Sequence, residues 1–473
     1  MTTVLLRTYG PANIADGLTR RQIPVFVRNP RMFQKPVQVA YCSCTRHRRC
    51  RSISWRTAEA PGYCRSRCCR CGGWTRPAGP HCCRHWEHHR SVSSGGAPPT
   101  GADIVDGVGR FLIPGLWDMH AHIQGSGDAW LALYVANGVT GIRDMGADID
   151  FIRAMREATR SARIRGPRIV AAGPILDDAP GDWPLRLRVR TPAEGRAAVR
   201  MLKGRGVDLI KVHNVTPRDV FFAIAEEAST ESLPLAGHVP LNVTVQEGID
   251  AGLKNIEHLS EDGRVWKACS GGGMYRPETC RPFFEMLARR QIWQTPTLVA
   301  LSEIPTVGTP ASAISKDHLA YANKILRGLW AGNQSIFGAR PEIMQILIAQ
   351  AAIARTATSD MARAGVGILA GCDALIAGFC VFDELAAMVA GGMTPLAALQ
   401  SATVNPARYL DREKTLGSIA PGKAADMVLL DGNPLDEIRN VRRVRAVVVD
   451  GRLLERQELD GLLARARAAG REP

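Results

Sequence analysis

From residue 111 onward the chain repeats one pattern, a short aliphatic run followed by a longer stretch with apolar residues three and four apart. The aliphatic runs lie near 113–121, 139–145 (VTGIRDM), 168–175 (RIVAAGPI), 208–213 (DLIKVH), 234–239 (PLAGHV), 254–259 (KNIEHL), 292–299 (IWQTPTLV) and 366–372. Runs this short, with apolar residues on both faces, are those of strands covered on both sides, as in a parallel sheet. The amphipathic stretches between them, such as 148–164, 192–205 and 217–230, predict helices. Eight strand–helix units in succession predict an α/β fold, a (β/α)8 TIM-like barrel. An open doubly wound sheet is the rival, but no glycine-rich phosphate turn follows an early strand. Residues 300–365 read as mostly helical, a lid or wall beside the last strand, and 380–410 read as helical too.

The pattern changes after the barrel. Residues 416–455 return to strands and turns, and 13–32 carry the same texture, so a small β-sandwich domain is expected from both chain ends. The resulting division is 1–32 for the first sandwich strands, 33–100 for an anomalous segment, 101–410 for the barrel and 411–459 for the rest of the sandwich. The Arg/Ala-rich end, 460–473, is expected to be a flexible tail.

Composition changes this picture in one place. The 473 residues carry a net charge of +15, but residues 1–90 hold 17 Lys/Arg against Asp16, Glu59 and Glu87, which leaves the remainder nearly neutral. A nucleic-acid role would therefore rest on that one segment, and none is expected. Residues 41–90 also hold nine of the 13 cysteines and eleven arginines, with Ile53 as the only branched aliphatic residue. Such a stretch cannot build a core. A zinc module on Cys68, Cys71, His81 and His85 has the ligands but a short gap between the pairs, and a disulfide framework would need an oxidising compartment. The preferred reading is text that no fold has selected, either a shifted frame or a loosely constrained insertion, and disordered. No apolar run is long enough to span a membrane, and no signal peptide is recognisable, so the expectation is a cytoplasmic protein without a membrane partner.

The chemistry lies at the strand ends. FLIPGLWDMHAHI runs as an aliphatic strand into His120 and His122, two apart and so able to face one point. The later strands end on Lys211, His238, His258 and Asp373. Each has an ordinary reading alone, as a strand cap, a satisfied core histidine or a snorkelling lysine. Together, at the gathered ends of one barrel, four imidazoles and a carboxylate make a transition-metal site. The lysine fits as a carbamate formed with carbon dioxide, whose two oxygens can bridge two ions. His120, His122 and Asp373 would hold the more buried ion, and His238 and His258 the other. A bridging hydroxide would be the nucleophile, with Asp373 as the catalytic acid–base group.

The chain resembles the amidohydrolase superfamily, in its imidazolonepropionase-like and prolidase-like group. The resemblance rests on FLIPGLWDMHAHI, GVTGIRDMG, DLIKVHN, LAGHVP, NIEHLSE, GILAGCDA, MTPLAALQSATVNPARYL and LGSIAPGKAADMVLLDGNPLDEI followed by RAVVVDGR, in order over about 101–455. It implies a barrel with a sandwich built from both ends, and metal ligands at His120, His122, Lys211, His238, His258 and Asp373. It further implies two divalent ions, with zinc expected, a carboxylated Lys211, and hydrolysis of a carbon–nitrogen amide bond in a dipeptide or N-acyl amino acid. Hydrolysis of a cyclic amide or a lactone is the alternative within the class. An inactive product with an interrupted sandwich is the alternative outside it. The partner is a small-molecule or dipeptide substrate, with homo-oligomerisation left open. Three places depart from the family, and the largest is 33–100, where it would have one or two sandwich strands and a short link. Cys372 stands where threonine is common, and His213 stands where peptidase relatives often carry tyrosine, so it is a candidate substrate contact.

Overall fold

The structure, a computed structural model, describes residues 25–28 and 103–470, except for breaks at 125–127, 181–184, 260–263, 271–274, 304–305, 307–315, 323, 325, 329, 333–340 and 374–375. The anomalous segment 33–100 and all but four residues of 1–32 lie outside the described residues. The first strands are β1 (Val25–Arg28), β2 (Asp103–Asp106), β3 (Phe111–Pro114), β4 (Leu116–Ala121), β5 (Val139–Asp144), β6 (Arg168–Ala171), β7 (Ile175–Asp177) and β8 (Arg186–Arg188). They are followed by β9 (Ile210–Val212), β10 (Leu235–Gly237), β11 (Leu253–Glu257), β12 (Trp293–Thr295), β13 (Gly367–Ile368), β14 (Met427–Leu430), β15 (Val444–Val449) and β16 (Arg452–Glu455).

The chain is α/β with parallel sheets. Strands β4, β5 and β6 pair in parallel, and a second sheet runs in the order β13-β12-β11-β10-β9-β7-β8. An isolated parallel bridge between Ala121 and Asp373 brings the chain just past β13 back to the end of β4. Every residue of β4 and β5 is buried, so both faces of these strands are covered and their polar residues, Asp118, His120, Arg143 and Asp144 among them, must find partners inside. Helices follow the strands, and their starts are written locally. Asp148 accepts from the N–H groups of Asp150 and Phe151 ahead of Ile149–Arg160. Thr191 caps Pro192–Gly204, with proline in the first turn, and Thr244 and Glu247 form a capping box on Val245–Asp250.

A separate antiparallel sheet has the order β16-β15-β14-β3; Ile113, Val428, Leu430 and Val447 on one face join the main core, and Leu112, Met427, Leu429, Ala446 and Val448 on the other share a small core with Val105 of β2. Strand β1 pairs in parallel with β2. The run 113–121 is thus two strands rather than one. It breaks at Pro114–Gly115, and β3 leaves to pair with β14 while β4 enters the parallel sheet. The run 168–175 likewise divides between β6 and β7, and the strand expected over 292–299 stops at Thr295, with Leu298–Glu303 helical. The expectation of a frayed tail is also corrected. Arg456–Ala469 is a helix whose Leu459, Leu462 and Ala466 are buried at helical spacing, and it packs on the helix Asp128–Ala136. No helix among the described residues is long and apolar enough to cross a membrane.

One glycine ties this packing to the strand ends. Gly237, the last residue of β10, has φ +134°, and a Cβ there would lie 2.1 Å from the Val212 carbonyl oxygen. Only a residue without a side chain lets β9 and β10 approach so closely beside His238. Gly237→Ala is expected to lower stability by more than about 2 kcal/mol, through backbone strain and overpacking together. Urea unfolding measures this, and a midpoint equal to wild type would contradict the close approach.

Candidate metal centre

Asp118, in the middle of β4, ties the first and last strands together: its Oδ1 accepts from the N–H groups of His120 and Cys372. The His120 carbonyl in turn accepts from the N–H groups of Cys372 and Asp373, at 3.1 and 2.6 Å. The side chains of His120, His122 and Asp373 are thereby brought together, with one potential ligand atom from each lying within 4.8 Å of the others. His120 Nε2 is 3.7 Å and His122 Nε2 3.4 Å from Asp373 Oδ1.

The remaining sequence candidates surround this trio. Lys211, buried at the centre of β9, places Nζ 3.4 Å from His120 Nε2. The His258 ring lies 4.6 Å from that of His120 and 4.8 Å from that of His238, and His258 Nε2 is 4.0 Å from Asp373 Oδ2. All six therefore meet in one place. His258 and Asp373 both adopt left-handed backbone, φ +55° and +57°, where their strands give way to loops. That conformation is uncommon for residues with a Cβ and is concentrated at functional sites.

Each histidine has one ring nitrogen engaged. His120 Nδ1 is 2.7 Å from Glu257 Oε2, His122 Nδ1 is 3.2 Å from the Gly146 carbonyl, His238 Nδ1 is 3.0 Å from Asn214 Oδ1, and His258 Nδ1 is 2.6 Å from Thr297 Oγ1. With Nδ1 so occupied, Nε2 is the atom each ring turns toward the cluster, the arrangement that orients metal-binding imidazoles. Burial, reinforced by the Lys211 charge, holds His120 well below its usual value, and burial with His213 does the same for His238. Burial lowers His258 to about 4. These rings are neutral at pH 7, with lone pairs available. Burial pushes the Asp373 carboxyl up, but His258, His122 and Lys211 outweigh it and hold the group below the ordinary carboxylate range.

His213 stands beside the cluster. Its ring lies 4.0 Å from that of His238, its Nδ1 is 3.6 Å from Asp177 Oδ2, and its side chain is 24 % exposed. Burial and the Lys211 charge lower it to about 3. Cys372 is joined to Cys380, so its sulfur does not face the cluster as a thiolate.

Sequence reasoning left Arg143 and Asp144 unassigned and passed over Glu257, Asn214 and Thr297. Glu257 Oε1 takes a 2.8 Å ion pair from Arg143, and both side chains are fully buried. Arg143 makes three further bonds: Nε donates to the Met119 carbonyl, and the terminal nitrogens donate to Asn255 Oδ1 and Thr295 Oγ1. Asp144 accepts from the N–H groups of Ile123 and Gly146, which fixes the turns on either side of His122. The available signal was an Arg in one aliphatic run and a Glu in another, two buried charges of opposite sign.

The chain is similar to known proteins over most of its length. The model of the amidohydrolase family matches residues 111–454. Ochratoxinase from Aspergillus niger is 24% identical over 403 residues, covering 71% of this chain and 73% of that protein. Among solved structures, a bottromycin amidohydrolase superposes with a TM-score of 0.64 at 22% identity, covering 80% of this chain and 84% of the other. A Xaa-Pro dipeptidase with bound methionine in its active site gives 0.57 at 23% identity, covering 76% and 90%.

If Glu257 is what aims His120, removing its cation should be costly. Arg143→Met strands a buried carboxylate and is expected to cost about 3–5 kcal/mol. The double variant with Glu257→Gln should recover part of that loss. Unfolding free energies test both, and additive losses would contradict a coupled pair.

Proposed function

The chain belongs to the amidohydrolase family, and on that premise we propose that it hydrolyses a carbon–nitrogen amide bond in a dipeptide or N-acyl amino acid, at a two-ion centre. The observation that carries the reading is the meeting of His120, His122, Lys211, His238, His258 and Asp373 in one buried cluster, with Nδ1 of every ring already held. The donor set suits divalent zinc, since imidazole nitrogens and a carboxylate oxygen are its usual ligands and burial keeps His120, His238 and His258 neutral. Lys211 joins the set as a carbamate, which turns a buried cation among would-be ligands into an anion. The Ala121–Asp373 bridge supports a closed eight-stranded barrel, and the sheet of β3, β14, β15 and β16 supports a sandwich with β1 and β2 as its other layer.

Bound divalent ions supply a water-derived nucleophile at neutral pH and polarise the scissile carbonyl. The chain's own groups do the rest. Asp373 accepts the proton released by the attacking water and delivers it to the departing nitrogen, which must leave as a neutral amine. Glu257 and Asn214 keep the His120 and His238 rings turned so that Nε2 faces the reaction. His213, partly exposed beside His238, is placed to contact a substrate carboxylate. A small acyl-amino acid substrate accords with the name of the Xaa-Pro dipeptidase among the structural relatives.

Asp373→Asn keeps an oxygen at the site and removes the base. Metal content is expected to stay near wild type while turnover of a cleaved dipeptide falls by at least about a hundredfold. An unchanged rate at full metal content would refute the role. Lys211→Ala should lose most of its metal and activity, and added short carboxylic acids should restore part of both by filling the bridging position. Full activity in the untreated variant would show that no carbamate is used. For the substrate class, amine release from dipeptides and N-acyl amino acids by the metal-loaded enzyme is the direct assay. Hydrolysis of lactones with no amide cleaved would overturn the amide assignment.

A further inference from the structure

The His258 ring ends a line of contacts that starts on a helix contributing no residue to the cluster. Thr297, two residues past β12, is fully buried, and its Oγ1 is 2.6 Å from His258 Nδ1. The same hydroxyl lies 2.8 Å from the Pro296 carbonyl, a group that can only accept. Its one proton is used there, so toward the imidazole Oγ1 is the acceptor and Nδ1–H the donor. Nε2 of His258 is thereby left as a bare lone pair on the side of the cluster.

Thr297 reaches this position only through an unfavourable backbone. Its φ is +47°, a left-handed conformation that a β-branched residue rarely adopts. Such a conformation persists where the bonds around it over-determine it. Thr297 opens the helix Leu298–Glu303, and its carbonyl accepts from the Leu301 N–H. The N–H groups of Leu298 and Val299, directly after it, each donate at 2.9 Å to one carboxyl oxygen of Glu384. Glu384 is itself fully buried, in the helix Phe379–Ala390. Burial pushes its carboxyl up to about 8. Ionised or protonated, both of its oxygens can accept, whereas the amide nitrogen of a glutamine cannot.

We infer that Glu384 is a positioning residue for His258: by gripping the two N–H groups after Thr297 it holds that threonine left-handed, with Oγ1 against Nδ1. The consequence for metal rests on the two-ion reading, in which His238 and His258 hold the second ion. The line of contacts itself stands without any ion.

The test follows the His258 Nδ1 proton by NMR in the full-length protein, as purified and again after zinc loading. Its downfield signal is assigned by its loss in His258→Gln. A slowly exchanging proton is expected in wild type. Exchange should be at least about tenfold faster in Thr297→Val and in Glu384→Gln, the loss of about one hydrogen bond's protection. Thr297→Ser, which keeps the hydroxyl, should restore slow exchange. In the zinc-loaded protein, chelator competition should show one ion weakened by about ten- to a hundredfold in both variants, and the other unchanged. The double variant should be no worse than Thr297→Val alone, because both substitutions cut one line. If Glu384→Gln does not fold, Glu384→Asp takes its place with the same expectations, since it keeps both acceptors but shortens their reach.

The inference is overturned if the Glu384 variant exchanges this proton at the wild-type rate, weakens both ions alike, or adds its effect to that of Thr297→Val. A wild-type protein binding fewer than two ions, with exchange that responds as expected, would overturn the two-ion reading and still support the role of Glu384.

Discussion

Glu257 and Arg143 face each other at 2.8 Å in the interior of the strand bundle, and neither side chain reaches water. Desolvating such a pair costs several kcal/mol per ion, and their attraction offsets this only when every other polar atom is satisfied. Here Arg143 also donates to the Met119 carbonyl, Asn255 and Thr295, and the second Glu257 oxygen is taken by His120. Burial still pushes the Glu257 carboxyl up, with Arg143 opposing it. The pair spans β5 and β11 and ends on the His120 ring at the close of β4. Strand packing and the orientation of that ring therefore rest on the same interaction.

The rest of the cluster follows from strands that run in one direction. Parallel pairing puts their C-terminal ends on one side, and the bridge from Ala121 to Asp373 carries the end of the chain's last parallel strand back to the first. At that edge the backbone leaves extended geometry: His258, Thr297 and Asp373 are all left-handed. Residues in regular strands would alternate between faces, and these turns re-aim side chains that the alternation would send elsewhere. Catalytic groups at strand ends on a rigid sheet are held with less freedom than groups on loops alone.

Much of this was legible in the chain. His120, His122, Lys211, His238, His258 and Asp373 stand out because each interrupts or ends an aliphatic run, where a polar residue needs a reason to be. The strands carrying them were found to within a few residues. The break between β3 and β4 was not, although Pro114–Gly115 is a turn dipeptide, because the apolar text on either side is continuous. The helix Arg456–Ala469 was taken for a tail because arginine and alanine dominate it, while its buried stripe is only Leu459, Leu462 and Ala466. The residues that hold the histidines were the hardest to see. Glu257, Asn214 and Thr297 lie far from their partners in sequence, and nothing local distinguishes a carboxylate that will accept from an imidazole 137 residues away.

The central claim is that six side chains from five strand ends form one two-ion centre. Crystallographic anomalous diffraction at the zinc edge, on metal-loaded full-length protein, tests it directly. The account predicts two peaks, one against His120, His122 and Asp373 and one against His238 and His258, with continuous density extending from Lys211 Nζ between them. A single peak with Lys211 as a bare amine, or two peaks located elsewhere in the molecule, would contradict it.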